Sequence, residues 1–226
     1  NPGDLQEWAS ARHTHNSFAN RTCKGIVQSM PDASPPSPSS VRLNQDSVKV
    51  LAHPLRSRLV GALRNGGPST ATALAGVLGT NSGATSYHLR KLAEVGLVVD
   101  TGEGDGKRRV WAASADFTVF EPSDFEGDED AEAAFGWLER DWLRHFADKF
   151  GRWLELRPAW PRAWGDAAGM GDTMVVATPE QLTAMTAEID EVIQRYRRVG
   201  QGNPEAKRVA VYVSSYPVDM EQVPRR

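Results

Sequence analysis

The chain has 226 residues, a formal net charge of −3 and a single cysteine, Cys23. One cysteine excludes an intrachain disulfide and a Cys-pair metal site. No stretch approaches the ~20 apolar residues of a membrane span, and no secretory signal is visible. The charge is unevenly placed. Residues 41–115 carry 10 Lys/Arg against 5 Asp/Glu, and residues 116–226 carry 13 against 21. A basic module therefore precedes an acidic one, and only the first is suited to an anionic partner.

Residues 1–40 are expected to be a disordered N-terminal extension. They are polar and end in PDASPPSPSS, where Pro removes donors and Ser favours turns. Met30 stands just before that stretch and is expected to be the natural start, or residues 1–29 an extension. His13, His15 and Cys23 lack the scaffold a metal site needs. From Val41 the pattern turns helical. Val48, Leu51 and Ala52 share a face, and Pro54 then opens a helix over Leu55–Arg64. That helix is expected to bury Leu55, Leu59, Val60 and Leu63, and Asn65-Gly66-Gly67-Pro68 stops it.

Residues 69–95, STATALAGVLGTNSGATSYHLRKLAEV, follow the spacing of two short helices joined by a turn. The first, roughly Thr70–Leu78, buries Leu74 and Leu78. Gly79 supplies the positive φ of the turn, and Ala75 lets the helices approach. The second, roughly Ser82–Val95, buries Leu89, Leu92 and Val95. Its outward positions, Asn81, Ser82, Gly83, Ser86, Tyr87 and Arg90, with Lys91 beside them, are small, hydrogen-bonding or basic. Such a surface fits a major groove. Gly83 would let the backbone approach a phosphate. His88 points half inward and reads as a packing residue. Two apolar runs, Leu97–Val99 and Val110–Ala113, flank the glycine-rich turn TGEGDGKRR and predict a hairpin. Its Lys107, Arg108 and Arg109 are candidates for phosphate or minor-groove contact. GEGDG lacks the following helix that a phosphate loop requires.

Helix, turn, helix and basic hairpin is the order of a winged helix. The stretches LAHPLRSRLVGAL and SYHLRKLAEVGLV resemble the opening helices and recognition helix of ArsR-type winged-helix regulators. The resemblance covers residues 45–113. It implies a winged helix-turn-helix DNA-binding domain over 41–115 and a cytoplasmic, nucleoid-associated bacterial regulator. Thr80 and Thr85 stand where such proteins usually have apolar residues, which should loosen the core slightly. The helix before the turn, TATALAG, holds none of the thiols by which relatives bind metal. No metal sensing of the usual kind is expected.

Residues 116–128 read as an acidic linker, and 129–226 as an α+β dimerisation or effector domain with long amphipathic helices. Phe135, Leu138, Trp142, Phe146, Phe150 and Trp153 mark a long helix. Thr173–Ala177 and Val209–Val213 are predicted strands. Thr178-Pro179-Glu180-Gln181 opens a last helix with a capping box. Leu182, Met185, Ile189, Val192 and Tyr196 form its narrow apolar seam. The seam either pairs with its twin in a dimer or packs on the long helix.

The whole is expected to be α+β, with no catalytic or metal residues, no cofactor and no membrane contact. The expected function is that of a homodimeric repressor binding a palindromic site on double-stranded DNA, with room for a small-molecule effector. The alternatives are a winged-helix protein-interaction module and a small-molecule sensor with its pocket in the Trp-rich stretch 137–164.

Overall fold

The computed structural model describes residues 39–105 and 108–223. The expected tail lies outside the described residues, except for its last two, Ser39 and Ser40. Ser40 already belongs to β1 (Ser40–Arg42). Helix α1 (Gln45–Leu51) follows, capped reciprocally by Asn44 and Ser47. Helix α2 (Pro54–Gly66) begins with Pro54 in its first turn and His53 as its cap. Pro is tolerated there because no intrahelical partner awaits its missing N–H.

A short β2 (Ser69–Thr70) leads into α3 (Ala71–Leu78) and α4 (Ser82–Glu94). Thr70 caps α3 and Asn81 caps α4 through their side-chain oxygens. Between the helices Gly79 takes φ 63° and ψ 38°, the left-handed conformation that a residue with a Cβ adopts at a cost. Strands β3 (Val98–Asp100) and β4 (Val110–Ala113) form the antiparallel hairpin, with Asp100 opposite Trp111. β2 pairs with the other edge of β4, so the small sheet runs β2-β4-β3. The winged-helix architecture is present.

The apolar faces of these elements converge. Leu59, Leu89, Leu92 and Leu97 are fully buried, and Leu74 and Trp111 nearly so. Leu55, Leu78 and Val95, expected in the core, are only partly buried against it. Thr85 is fully buried and keeps its hydroxyl satisfied by donating to the Asn81 carbonyl at 2.9 Å.

The stretch expected to be an acidic linker is part of this body. β5 (Phe117–Val119) pairs in parallel with β1, Ser40 opposite Phe117. A 3-10 turn (Pro122–Phe125) then buries Phe125 completely. The acidic side chains point outward, and Arg42 and Lys49 hold Asp124 and Asp128 at 2.6 and 2.9 Å. The apolar residues between them complete the core. The long helix α5 (Glu129–Leu156) continues it with Ala131, Phe135 and Leu138. Phe125 lies 4.8 Å from Phe135, and Trp142 Nε1 donates to Ser57 Oγ on α2 at 3.2 Å. Asp141, almost buried, faces Arg58 of α2 at 3.5 Å.

Beyond this point packing thins. Trp153, Trp160 and Trp164 meet edge to face, at 5.3 and 5.8 Å, around α6 (Arg162–Ala167). Helix α7 (Pro179–Tyr196) has the expected capping box of Thr178 and Gln181. The two predicted C-terminal strands are not strands. Residues 173–177 and 209–213 have no ladder partner among the described residues, and Val176 and Val211 are exposed. Alternation fits a pleat, but a strand also needs a neighbour to take its N–H and C=O groups. Among the described residues the α+β character therefore comes from residues 40–119, and the C-terminal part is helical and irregular.

Candidate nucleic-acid interface

The outer face of α4 is open. Asn81, Ser82, Gly83 and Arg90 are exposed, Tyr87 is 49 % exposed, and Ser86 is half-buried. The face follows from the helix period, because burial of Thr85, Leu89 and Leu92 turns positions 83, 86, 87 and 90 outward. Asn81 Oδ1 accepts from Ala84 N–H at 2.8 Å, so this side chain is already occupied as the cap. Tyr87 stands edge-on to His88, with ring centroids 5.2 Å apart.

Arg90 donates through Nε to the Ser86 carbonyl at 3.2 Å. That bond lays the stem along the helix and leaves the fork of the guanidinium for an outside acceptor, and Arg90 has no ion pair among the described residues. Lys91 differs. Its Nζ sits 2.8 Å from Glu94, whose hydrogen bond and charge raise the Lys91 pKa above its ordinary value. A phosphate must compete with Glu94 for that cation.

The wing is more self-neutralised than its sequence suggests. Arg109 faces Asp100 at 3.4 Å and lies over the Trp111 ring at 6.0 Å. Arg108 faces Asp105 at 3.6 Å and donates its backbone N–H to the same carboxylate. Lys107 lies outside the described residues. At the tip, a Cβ on Gly104 would collide with the Arg108 backbone, so the turn closes tightly. These ion pairs are exposed and individually weak, so phosphates can replace the carboxylates.

His88 is more than packing. With His53 and Arg56 it forms a polar joint between α2 and α4, in which Arg56 Nε donates to His88 Nδ1 at 3.2 Å. Sequence reasoning missed the joint because its members lie 32 residues apart. A histidine directly before the Pro54 of a helix start was the available signal.

The seam of α7 is spread unevenly. Leu182, Met185 and Ile189 are half-buried, whereas Val192 and Tyr196 are 44 % and 68 % exposed. An open cleft of about 390 Å³ lies between β5 and α7, lined by Asp116, Phe117, Ile193 and Arg197 among others. It is not in the Trp-rich stretch. Among the described residues no cluster of three or more metal-ligating side chains occurs, and no helix is long and apolar enough to cross a membrane.

A family model described as a helix-turn-helix domain matches residues 51–101, from the end of α1 to the start of the wing turn. No curated protein matches the chain. The matched region and the open face of α4 together support a DNA-binding regulator in general.

Proposed function

We propose that the chain is an ArsR-like transcriptional repressor of the bacterial nucleoid, acting as a homodimer on a palindromic operator. In this reading α4 enters the major groove. Ser82, Ser86, Tyr87 and Arg90 meet base edges and backbone, and Gly83 gives the helix N-terminus close access to a phosphate. Lys91, Lys107, Arg108 and Arg109 flank it on the phosphates. Two copies double the contacts and match the two-fold symmetry of the operator. The α7 seam is the proposed dimer contact, and the β5–α7 cleft is where an effector would bind.

The observation that carries this reading is the exposure of α4. Its outer face is not covered by the acidic C-terminal part. That part carries the surplus of negative charge, and DNA favours it turned away. A module that used α4 only against its own chain would have this face buried.

The test is a shift assay on the full chain with its own upstream region and with a random duplex pool, at low salt. Binding is expected, and Arg90→Ala is expected to weaken it by about 1–3 kcal/mol, roughly 5- to 150-fold. Absence of any shift at low salt removes the DNA-binding reading.

A further inference from the structure

Three side chains join α2 to α4 outside the apolar core. His53 caps α2, its Nδ1 accepting from Leu55 N–H at 3.1 Å. Arg56 donates from one guanidinium nitrogen to the Val50 carbonyl in α1 at 2.8 Å, and from Nε to His88 Nδ1 on α4 at 3.2 Å. The two imidazoles lie 4.5 Å apart, tilted by 39°.

Both Nδ1 atoms act as acceptors. Each ring is therefore neutral, with its proton on Nε2. A proton added to either Nδ1 removes an acceptor and sets a cation beside Arg56. The surroundings offer little to stabilise it. On α4 the other titratable groups facing the cluster are Tyr87 and Lys91, and Lys91 is tied to Glu94. On α1 the cluster meets the Val50 carbonyl, while Lys49 is held by Asp128. Among the described residues no carboxylate is hydrogen-bonded to either ring.

We propose that His53, Arg56 and His88 are positioning residues of the DNA interface, a proton-sensitive latch that holds α4 in its reading position only while both rings are neutral. The inference rests on α4 being the DNA-reading helix. His88 is followed on α4 by Leu89 and Arg90 and preceded by Tyr87, so a shift of its backbone moves both proposed contacts. Burial first, then Arg56, lowers the His53 pKa below its ordinary 6.5, and burial, His53 and Arg56 do the same for His88. Because the folded-state pKa of both rings lies below 6.5, the latch is complete above 6.5 and is lost as pH falls through that lowered folded-state value.

The test uses the full chain and a duplex selected from a random pool by the wild type at pH 7.5. Affinity is measured at pH 7.5 and 5.5 in the presence of excess unrelated duplex, with melting followed at both values. The wild type should lose about tenfold in affinity, the worth of one hydrogen bond, while remaining folded. His88→Asn keeps an acceptor for Arg56 Nε and does not titrate. It should bind within threefold of the wild type at pH 7.5 and lose under threefold on acidification. His53→Asn, a good helix cap that does not titrate, should also flatten the profile, and it carries the test if His88→Asn does not fold. A wild type with constant affinity, unfolding of the wild type at pH 5.5, or variants that keep the wild-type profile would each overturn the latch. Failure to select any duplex at pH 7.5 would instead remove the DNA-binding reading itself.

Discussion

A Cβ built on Gly83 meets nothing closer than Asn81 Oδ1, at 3.4 Å, and its backbone needs no positive φ. The fold therefore does not require glycine there. Within a helix, glycine costs roughly 0.5–1 kcal/mol relative to alanine. Gly83→Ala is accordingly expected to raise the melting temperature slightly and to weaken DNA binding several-fold, because the added methyl holds a phosphate away from the helix N-terminus. Equal affinity of variant and wild type in an anisotropy titration would show that the backbone does not approach DNA at this point. Gly79 is the opposite case, since its left-handed φ of 63° is demanded by the turn itself. Both glycines are visible in the sequence, but spacing alone does not tell which of them the fold itself requires. Thr85 carries a related lesson. A threonine in a core position reads as a defect until the Asn81 carbonyl is seen within 2.9 Å of its hydroxyl.

The helix-turn-helix and hairpin were legible as elements because their signals are local. Helical spacing, Gly79, the capping residues Thr70 and Asn81, and the glycine-rich turn all act within a few residues. The wing's electrostatics were less so, because Asp100 and Asp105 reach the arginines only once the hairpin has folded. Arg108→Ala with Arg109→Ala is expected to weaken binding and to reduce the slope of log affinity against log salt by less than the ~0.9 per phosphate contact of unpaired cations. A drop of two full contacts' worth would show that the carboxylates leave the wing on binding. The stretch 116–128 misled for the converse reason. Its many carboxylates suggest solvent, yet Phe125 alone among its close neighbours is fully buried. Phe125→Ala should destabilise the winged helix by about 3–5 kcal/mol in a denaturant titration, although it lies outside the helix-turn-helix and the hairpin. A loss below 1 kcal/mol would show that α5 docks independently of that core.

For the molecule as a whole, the C-terminal third was the least legible. Alternating valines at 209, 211 and 213 predict a strand, but pairing is a property of two segments, and this stretch is held instead by Tyr212 stacked on Phe146 at 3.8 Å and by Arg208 donating to the Asn65 carbonyl at 2.6 Å. No residue of α7 is fully buried, while Val192 and Tyr196 stand open on its seam. In the proposed dimer these residues meet a second copy. Ile189→Glu is then expected to convert a dimer to a monomer in sedimentation and to abolish half-site cooperativity, with the winged helix still folded. A wild type that sediments as a monomer at micromolar concentration would remove this contact. The docking of α5 on α1 and α2 also bears on how the protein is made. Phe125, Ala131, Phe135 and Leu138 all belong to the core that supports α4, and β1 waits for β5 to pair. Helix α4 therefore leaves the ribosome about 40 residues before the last piece of its own foundation, Leu138. At roughly 5–20 residues per second, some seconds pass before Phe125–Leu138 can close over the leucines of α4. A chain cut short before Phe125 is therefore expected to carry the whole helix-turn-helix over a core that lacks four of its members.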